Sequence, residues 1–358
     1  MKLKNISNIK GVLIILVVFG HCFPLISRNE PIVNYIWTFI YNFHMPPFFL
    51  LSGLLYYNSS KIKKISGKKF VLGKLKTLMI PYLTVSLCSY LLIYFLSSVP
   101  LFNNLLSRAG YGEIKFNEMI YSIITNNNHI DQHLWFVYAL FLIFLFQVFL
   151  DKATDNHILK FILTLGISLL GSFIFTQGLV SKVFYFSFYF YIGRYFLNNW
   201  NNFSNITLKT SLINIVMFFG TNSLLTYLSI ANLGTSVLTE IMQYFVAIHS
   251  IFALISLIRL LRGIQLLERL SQLLGNNSFI IYLLHQPFLV SGVSGVIILM
   301  NQNIILYSPF ITVLGIMVPI IIYNFLIKKN NIISFLFTGK ATKPSKSIDS
   351  TKKSININ

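Results

Sequence analysis

Charged residues along this chain fall in blocks separated by long uncharged runs. Residues 11–27, 31–60, 77–107, 132–150, 161–181, 210–239 and 241–258 contain no Asp, Glu, Lys or Arg. Residues 270–327 continue for 58 positions without a charge, long enough for two crossings with Asn301-Gln302-Asn303 as the polar break. A helix that crosses a bilayer needs roughly 20 mostly apolar residues. The pattern predicts ten helices, at about residues 10–27, 36–57, 78–98, 133–150, 158–177, 183–199, 210–230, 237–258, 277–299 and 307–327. Arg194 interrupts the sixth, which leaves nine or eleven as alternatives.

Composition agrees with that pattern. The chain is 55% apolar and 10% charged, where a soluble domain carries about a quarter charged residues. Its mean hydropathy is +0.71. A soluble enzyme, a disordered chain and a nucleic-acid-binding domain are thereby excluded. The expected fold class is all-α, a polytopic integral membrane protein. The net charge of +19 then has to be located. Lys and Arg are retained on the cytoplasmic side of membranes. With ten spans and a cytoplasmic N-terminus, 24 of the 28 Lys and Arg fall inside, leaving Arg28, Arg108, Lys115 and Lys182 outside. An odd number of spans would put one basic terminus outside, so both termini are expected in the cytoplasm.

The first run follows basic residues like a signal peptide, but no small-x-small cleavage site follows, and it reads as a retained span. Cys22 and Cys88 both fall in predicted spans and imply neither a disulfide framework nor a thiolate metal site. Residues 1–327 are expected to form the transmembrane domain. Residues 328–358 read as a basic cytoplasmic tail without a fold of its own, apart from an apolar patch at 332–337 suited to the inner membrane surface. No internal repeat and no appended soluble domain is apparent.

Strongly polar side chains are costly in lipid and usually face a cavity or the bundle interior, so the exceptions within spans are the candidates for chemistry. His21 lies in the first helix, eleven residues after Lys10. Eleven residues return to within about 20° of the same helix face and rise roughly 16 Å. That places Lys10 at the cytoplasmic mouth and His21 about half-way through. A neutral imidazole accepts a proton from a hydroxyl; a His hydrogen-bonded inside the bundle is the equal alternative. His44 sits on a break at Pro46-Pro47, which leaves the carbonyls of Asn42 and Phe43 without helical partners. By itself that break reads as a structural kink. Seven lysines crowd residues 61–76; topology accounts for most, while Lys74 and Lys76 are nearest the helix and suited to a phosphorylated co-substrate. Trp135 opens the fourth helix, as a membrane-interface belt residue or a platform for a sugar ring. Ser278, Tyr282 and His285 share one face before Pro287, either as a cavity wall or as a hydrogen-bonded helix contact. Glu240 and His249, nine residues apart, point to opposite faces.

Several segments occur in an order that resembles membrane-bound acyltransferase family 3. Lys10-Gly11 followed by Val17-Val18-Phe19-Gly20-His21 is similar to the family's opening. Phe43-His44-Met45-Pro46-Pro47-Phe48-Phe49 with Ser52-Gly53 resembles its second-helix motif. Leu134-Trp135-Phe136 with Ala139-Leu140-Phe141, and Ile281-Tyr282-Leu283-Leu284-His285, resemble two later ones. Each match is weak alone; the ordered set across about residues 10–290 is specific, and closest to the compact branch without a soluble domain, which includes sugar O-acetyltransferases.

The resemblance implies about ten helices and acyl transfer, usually of acetyl from acetyl-CoA or another acyl-CoA as co-substrate, with no bound cofactor and no metal. The implied acceptor is a hydroxyl of a cell-envelope or exported glycan, in a bacterial plasma membrane. It puts the catalytic histidine at His21, with His44 as its companion. Donor phosphates are expected at Lys10, Lys74 and Lys76, and substrate contacts at Trp135, Tyr282, His285 and Ser52. Two positions depart from the pattern. The family commonly has Arg where Lys10 stands, and often Arg-x-x-Arg before the third helix where Lys74 and Lys76 stand at another spacing. Lysine offers a point charge in place of a bidentate fork. The main alternative is a transporter or flippase for a glycan or lipid-linked sugar; a non-catalytic membrane scaffold is a further one.

Overall fold

The computed structural model describes residues 5–59, 67–100, 116–127, 130–175 and 177–341. Lys2, Lys4, Lys61, Lys63, Lys64, Arg108, Lys115 and the basic residues from Lys343 onward, which entered the charge count above, lie outside them.

The chain is an all-α polytopic membrane protein. In order, its helices are α1 (Ile6–His21), α2 (Pro31–Tyr41), α3 (Pro46–Asn58), α4 (Gly67–Lys74), α5 (Ile80–Ser97), α6 (Phe116–Thr125), α7 (Trp135–Ala153), α8 (His157–Phe173), α9 (Gly178–Ser204), α10 (Leu208–Ala231), α11 (Ser236–Leu261), α12 (Gln265–Asn276), α13 (Ser278–Leu284), α14 (Val293–Leu299), α15 (Ile304–Ile322) and α16 (Asn331–Thr338). A helix, or a broken helix pair, occupies each of the ten expected places. Among the described residues, five continuous helices are long and apolar enough to cross a membrane: Gly67–Ser97, Gln132–Ala153, Leu208–Ala231, Ser236–Leu261 and Ile304–Ile327. The bent pair Ser278–Leu284 and Phe288–Leu299 makes a sixth if counted as one span, its halves meeting at 54° next to Pro287. Among the described residues, four helices the hydropathy pattern had not separated out are present: α4 and α6 in segments expected as loops, α12 before the ninth span, and α16.

Lipid-like surroundings explain which face of each helix is buried. On α15, Phe310, Val313, Met317 and Ile321 are exposed, while Ser308, Ile311, Thr312, Ile316 and Ile320 are buried. So much exposed hydrocarbon is a liability in water; against acyl chains it costs nothing, and small and polar residues can turn inward. Close helix packing follows from that choice. α3 lies on α9 with Gly53 against the backbone of Phe190 and Gly193 against Leu50, and a Cβ at either glycine would fall inside the facing backbone.

The Pro46-Pro47 break is held from outside the helix. The side chain of Asn42 donates to Asn222 Oδ1 at 3.0 Å and Thr226 Oγ1 at 3.1 Å, and its carbonyl accepts from Gln243 Nε2 at 3.4 Å. α10 and α11 thus replace one helical partner that the prolines remove. Arg194 does not break α9; its guanidinium reaches His157 Nε2 at 2.6 Å near the start of α8.

Candidate active site

α1 runs unbroken from Lys10 to His21, so the two residues end up about 16 Å apart on nearly one face. Pro24 follows, and the chain turns back into α2, which returns an aromatic ladder along the end of α1. Trp37 stacks on Tyr41 at 4.1 Å, and the Tyr41 ring packs edge-on to His44 at 4.6 Å. The Tyr41 hydroxyl is 3.3 Å from His21 Nδ1.

On the other side of His21 the ring of His285 lies 5.2 Å away, and His133 lies 5.0 Å from His285. His285 stands where α13 ends, just before the bend. Its Nδ1 is 2.8 Å from the Tyr282 carbonyl and 3.1 Å from that of Ile281. A carbonyl only accepts, so Nδ1 carries the proton, and Nε2 of the neutral ring is a bare acceptor. That Nε2 is buried and has no hydrogen-bond partner among the described residues. The Tyr282 hydroxyl donates to the carbonyl of His133, which ties α13 to the turn before α7. His44 Nδ1 likewise donates to the Ile40 carbonyl at 2.9 Å. Four histidines from four parts of the chain thus converge. Among the described residues, no group of three or more His, Cys, Asp or Glu is arranged to hold a metal ion.

Arg28 stands in the turn between α1 and α2. Arg28 was not singled out in the sequence. Its guanidinium lies 3.7 Å from the Trp37 ring centre, and its Nε donates to the Phe23 carbonyl at 3.1 Å.

Of the expected substrate residues, Tyr282 and His285 join this cluster. Trp135 stands two residues after His133, but its ring is stacked on Phe186 at 5.4 Å and Phe49 at 6.2 Å, with the Lys182 ammonium 4.6 Å from its centre. It is held by protein aromatics rather than left as an open platform. Ser52 donates to its own helix at the Phe48 carbonyl, 2.7 Å away, and no described contact joins it to the histidines.

At the opposite end of α1, Lys74 feels the charges of Lys10 and of Lys340, so three lysines from distant parts of the chain share one region. Lys74 Nζ sits 3.8 Å from the centre of the Phe144 ring and 5.4 Å from that of Phe70. The Lys76 side chain is exposed, and its backbone lies against Gly339, the residue before Lys340. Phe70 also lines a cavity of about 440 Å³ with Tyr56, Tyr57, Lys152 and Arg194, floored by the Lys160–Asp151 ion pair at 2.5 Å.

A family model described as an acyltransferase domain, that of acyltransferase family 3, matches residues 3–324. The chain belongs to this family. No curated protein and no solved structure matches it. Both clusters at the ends of α1 lie within the matched residues, except Lys340.

Proposed function

We propose that this family member is an integral membrane O-acyltransferase of the bacterial plasma membrane. It transfers acetyl from acetyl-CoA, or acyl from another acyl-CoA, to a hydroxyl of a cell-envelope or exported polysaccharide. The observation that carries the reading is the placement of the His21 ring between the Tyr41 hydroxyl and His285, at the far end of the helix that begins at the lysine cluster.

The lysine end faces the cytoplasm, in keeping with the charge distribution of the chain, and receives the donor's phosphates. The cavity beside Phe70 carries aromatic rings for a base and Lys152, Lys160 and Arg194 for phosphates, alongside Asp151 and Asp155. A pantetheine arm then extends along α1 toward His21. For His21 Nε2 to accept a proton, Nδ1 must carry its own, and the Tyr41 oxygen is placed to accept that N–H. Nε2 removes the proton of the acceptor hydroxyl as its oxygen bonds to the thioester carbonyl carbon. The C–S bond breaks as the intermediate collapses, and the imidazolium returns the proton to the departing thiolate. His44 packs against Tyr41 and holds its orientation. His285 Nε2 accepts a hydrogen bond from the acceptor.

The test uses the full chain in lipid nanodiscs with acetyl-CoA. Release of thiol that depends on added glycan, and that is lost in His21→Ala at unchanged protein abundance, is the expected result. A transporter releases none, and activity persisting in His21→Ala removes the catalytic assignment.

A further inference from the structure

The lysine end of α1 contains one cation that comes from beyond the residues shared with the family. α16 was expected as an apolar patch on the membrane surface. It packs on α5, with Phe337 against the main core and Ser334 buried, while Ile332, Ile333 and Leu336 stay exposed. Its start is capped by Asn330, whose Oδ1 accepts from the backbone of Ile332 and Ile333 at 2.9 and 3.1 Å. Its end is fixed by Gly339, which has φ +67° and donates its N–H to the Phe335 carbonyl at 2.8 Å. Gly339 lies directly on the backbone of Lys76 and Thr77, where a Cβ would collide. The next residue is Lys340. Its N–H donates to Thr338 Oγ1 at 3.2 Å, and its carbonyl accepts from Ser334 Oγ at 2.9 Å.

The position of the Lys340 backbone is therefore set by a helix cap pressed onto the start of the third span. The contact of Gly339 with the Lys76 backbone brings Lys340 to within two residues of Lys74 along that helix, where its charge and that of Lys10 both act on Lys74. Among the described residues none of the three has a carboxylate partner. Lys74 is braced by the faces of Phe144 and Phe70, which orient a cation without neutralising it. Three like charges gathered at one mouth repel one another, and a ligand with several negative charges relieves that repulsion.

We propose that α16 is a clasp that completes the donor site by holding Lys340 beside Lys74 and Lys10, which makes Lys340 a third cation for the donor's phosphates. The proposal rests on the acyl-CoA reading above. The clasp lies outside the residues that the family model matches, which end at 324.

The probe is CoA itself, with binding measured on the full chain in nanodiscs of neutral lipid. Lys340→Ala is expected to weaken CoA binding by about 3- to 5-fold, the size of one partly exposed charge pair. Lys340→Glu should weaken it further, and Lys340→Arg should stay within about two-fold of the native protein. This ordering by charge separates phosphate contact from a structural role, since the Lys340 side chain is exposed. Gly339→Val, which keeps every charge but displaces the clasp, should match Lys340→Ala, and the double variant should lose nothing more. CoA binding unchanged in both Lys340→Ala and Lys340→Glu overturns the clasp. So does a loss confined to association with vesicles of phosphatidylglycerol, which would assign Lys340 to lipid headgroups. Failure of the native protein to bind CoA overturns the donor reading and the clasp with it, before any substitution is made.

Discussion

At one end of α1, imidazoles and a phenol sit ring to ring, and at the other three lysines share a mouth without a carboxylate among them. The histidine end is held by short-range, directional contacts: Nδ1 of His21, His44 and His285 each meets a named carbonyl or hydroxyl, and two chain breaks, at Pro46-Pro47 and Pro287, place the rings. The lysine end is held by packing around cations that remain unpaired. Directional hydrogen bonds fix which nitrogen carries a proton, which proton transfer requires. Unpaired cations braced on aromatic faces keep their charge for a ligand, which anion binding requires. The two ends therefore should fail differently when they are altered.

The largest effect is expected at the histidine end. His21→Ala should lower kcat by about 10²–10⁴-fold, the usual contribution of general base catalysis, while KM for acetyl-CoA stays within about two-fold. Steady-state thiol release measures both. A raised KM with kcat preserved would make His21 a binding residue and erase the contrast between the ends.

How legible each end was in the sequence follows from the same contrast. His21, His44 and His285 stood out because each interrupts an uncharged, apolar run, where a polar side chain is conspicuous. His133 did not, since it follows Asp131-Gln132 in a segment already polar. Its signal was its place two residues before Trp135 in a matching motif. Tyr41 was hidden among 19 tyrosines, although it precedes His44 by three residues and so had the spacing to reach it. At the lysine end the difficulty was reversed. Seven lysines in residues 61–76 and seven after residue 327 all satisfy the positive-inside rule, so no count separates a ligand-binding lysine from a topological one. Lys74 was chosen with Lys76 by nearness to the helix, and Lys74 shares a region with Lys10. The helices were legible because hydropathy alone sets them; the clasp was not, because α16 has too few residues to register as a span and is seated by tertiary packing.

The second effect belongs to the lysine end. Lys10→Ala combined with Lys74→Ala should raise KM for acetyl-CoA by about ten-fold or more, from two charge-assisted contacts, with kcat changed by less than about three-fold. The native KM should also rise with added salt, and the double variant should lose most of that dependence. A fall in kcat at unchanged KM would mean that these lysines act on the transferred group and not on the donor's phosphates. Next in size is His285→Phe, which keeps a ring in the packed cluster and removes the bare Nε2. It should lower kcat by about ten-fold through the lost hydrogen bond and the unpaired acceptor hydroxyl. Equal kcat in that variant would leave His285 as packing alone.

The smallest effect is the sharpest test of the directional end. Tyr41→Phe keeps the stack on Trp37 and the edge contact with His44, and deletes only the oxygen 3.3 Å from His21 Nδ1. One neutral hydrogen bond is worth about 0.5–1.5 kcal/mol, so kcat should fall by about 3- to 10-fold, with KM for acetyl-CoA unmoved. The His21 ring would then lack the partner that keeps the proton on Nδ1, and part of the population would present Nε2–H to the acceptor hydroxyl, a form unable to act as base. Tyr41→Ala removes the stack as well and should be worse than Tyr41→Phe, because His44 and Trp37 lose their packing partner. If Tyr41→Phe matches the native enzyme while Tyr41→Ala is impaired, Tyr41 acts as a spacer, and the tautomer of His21 is set by some other group in the cluster.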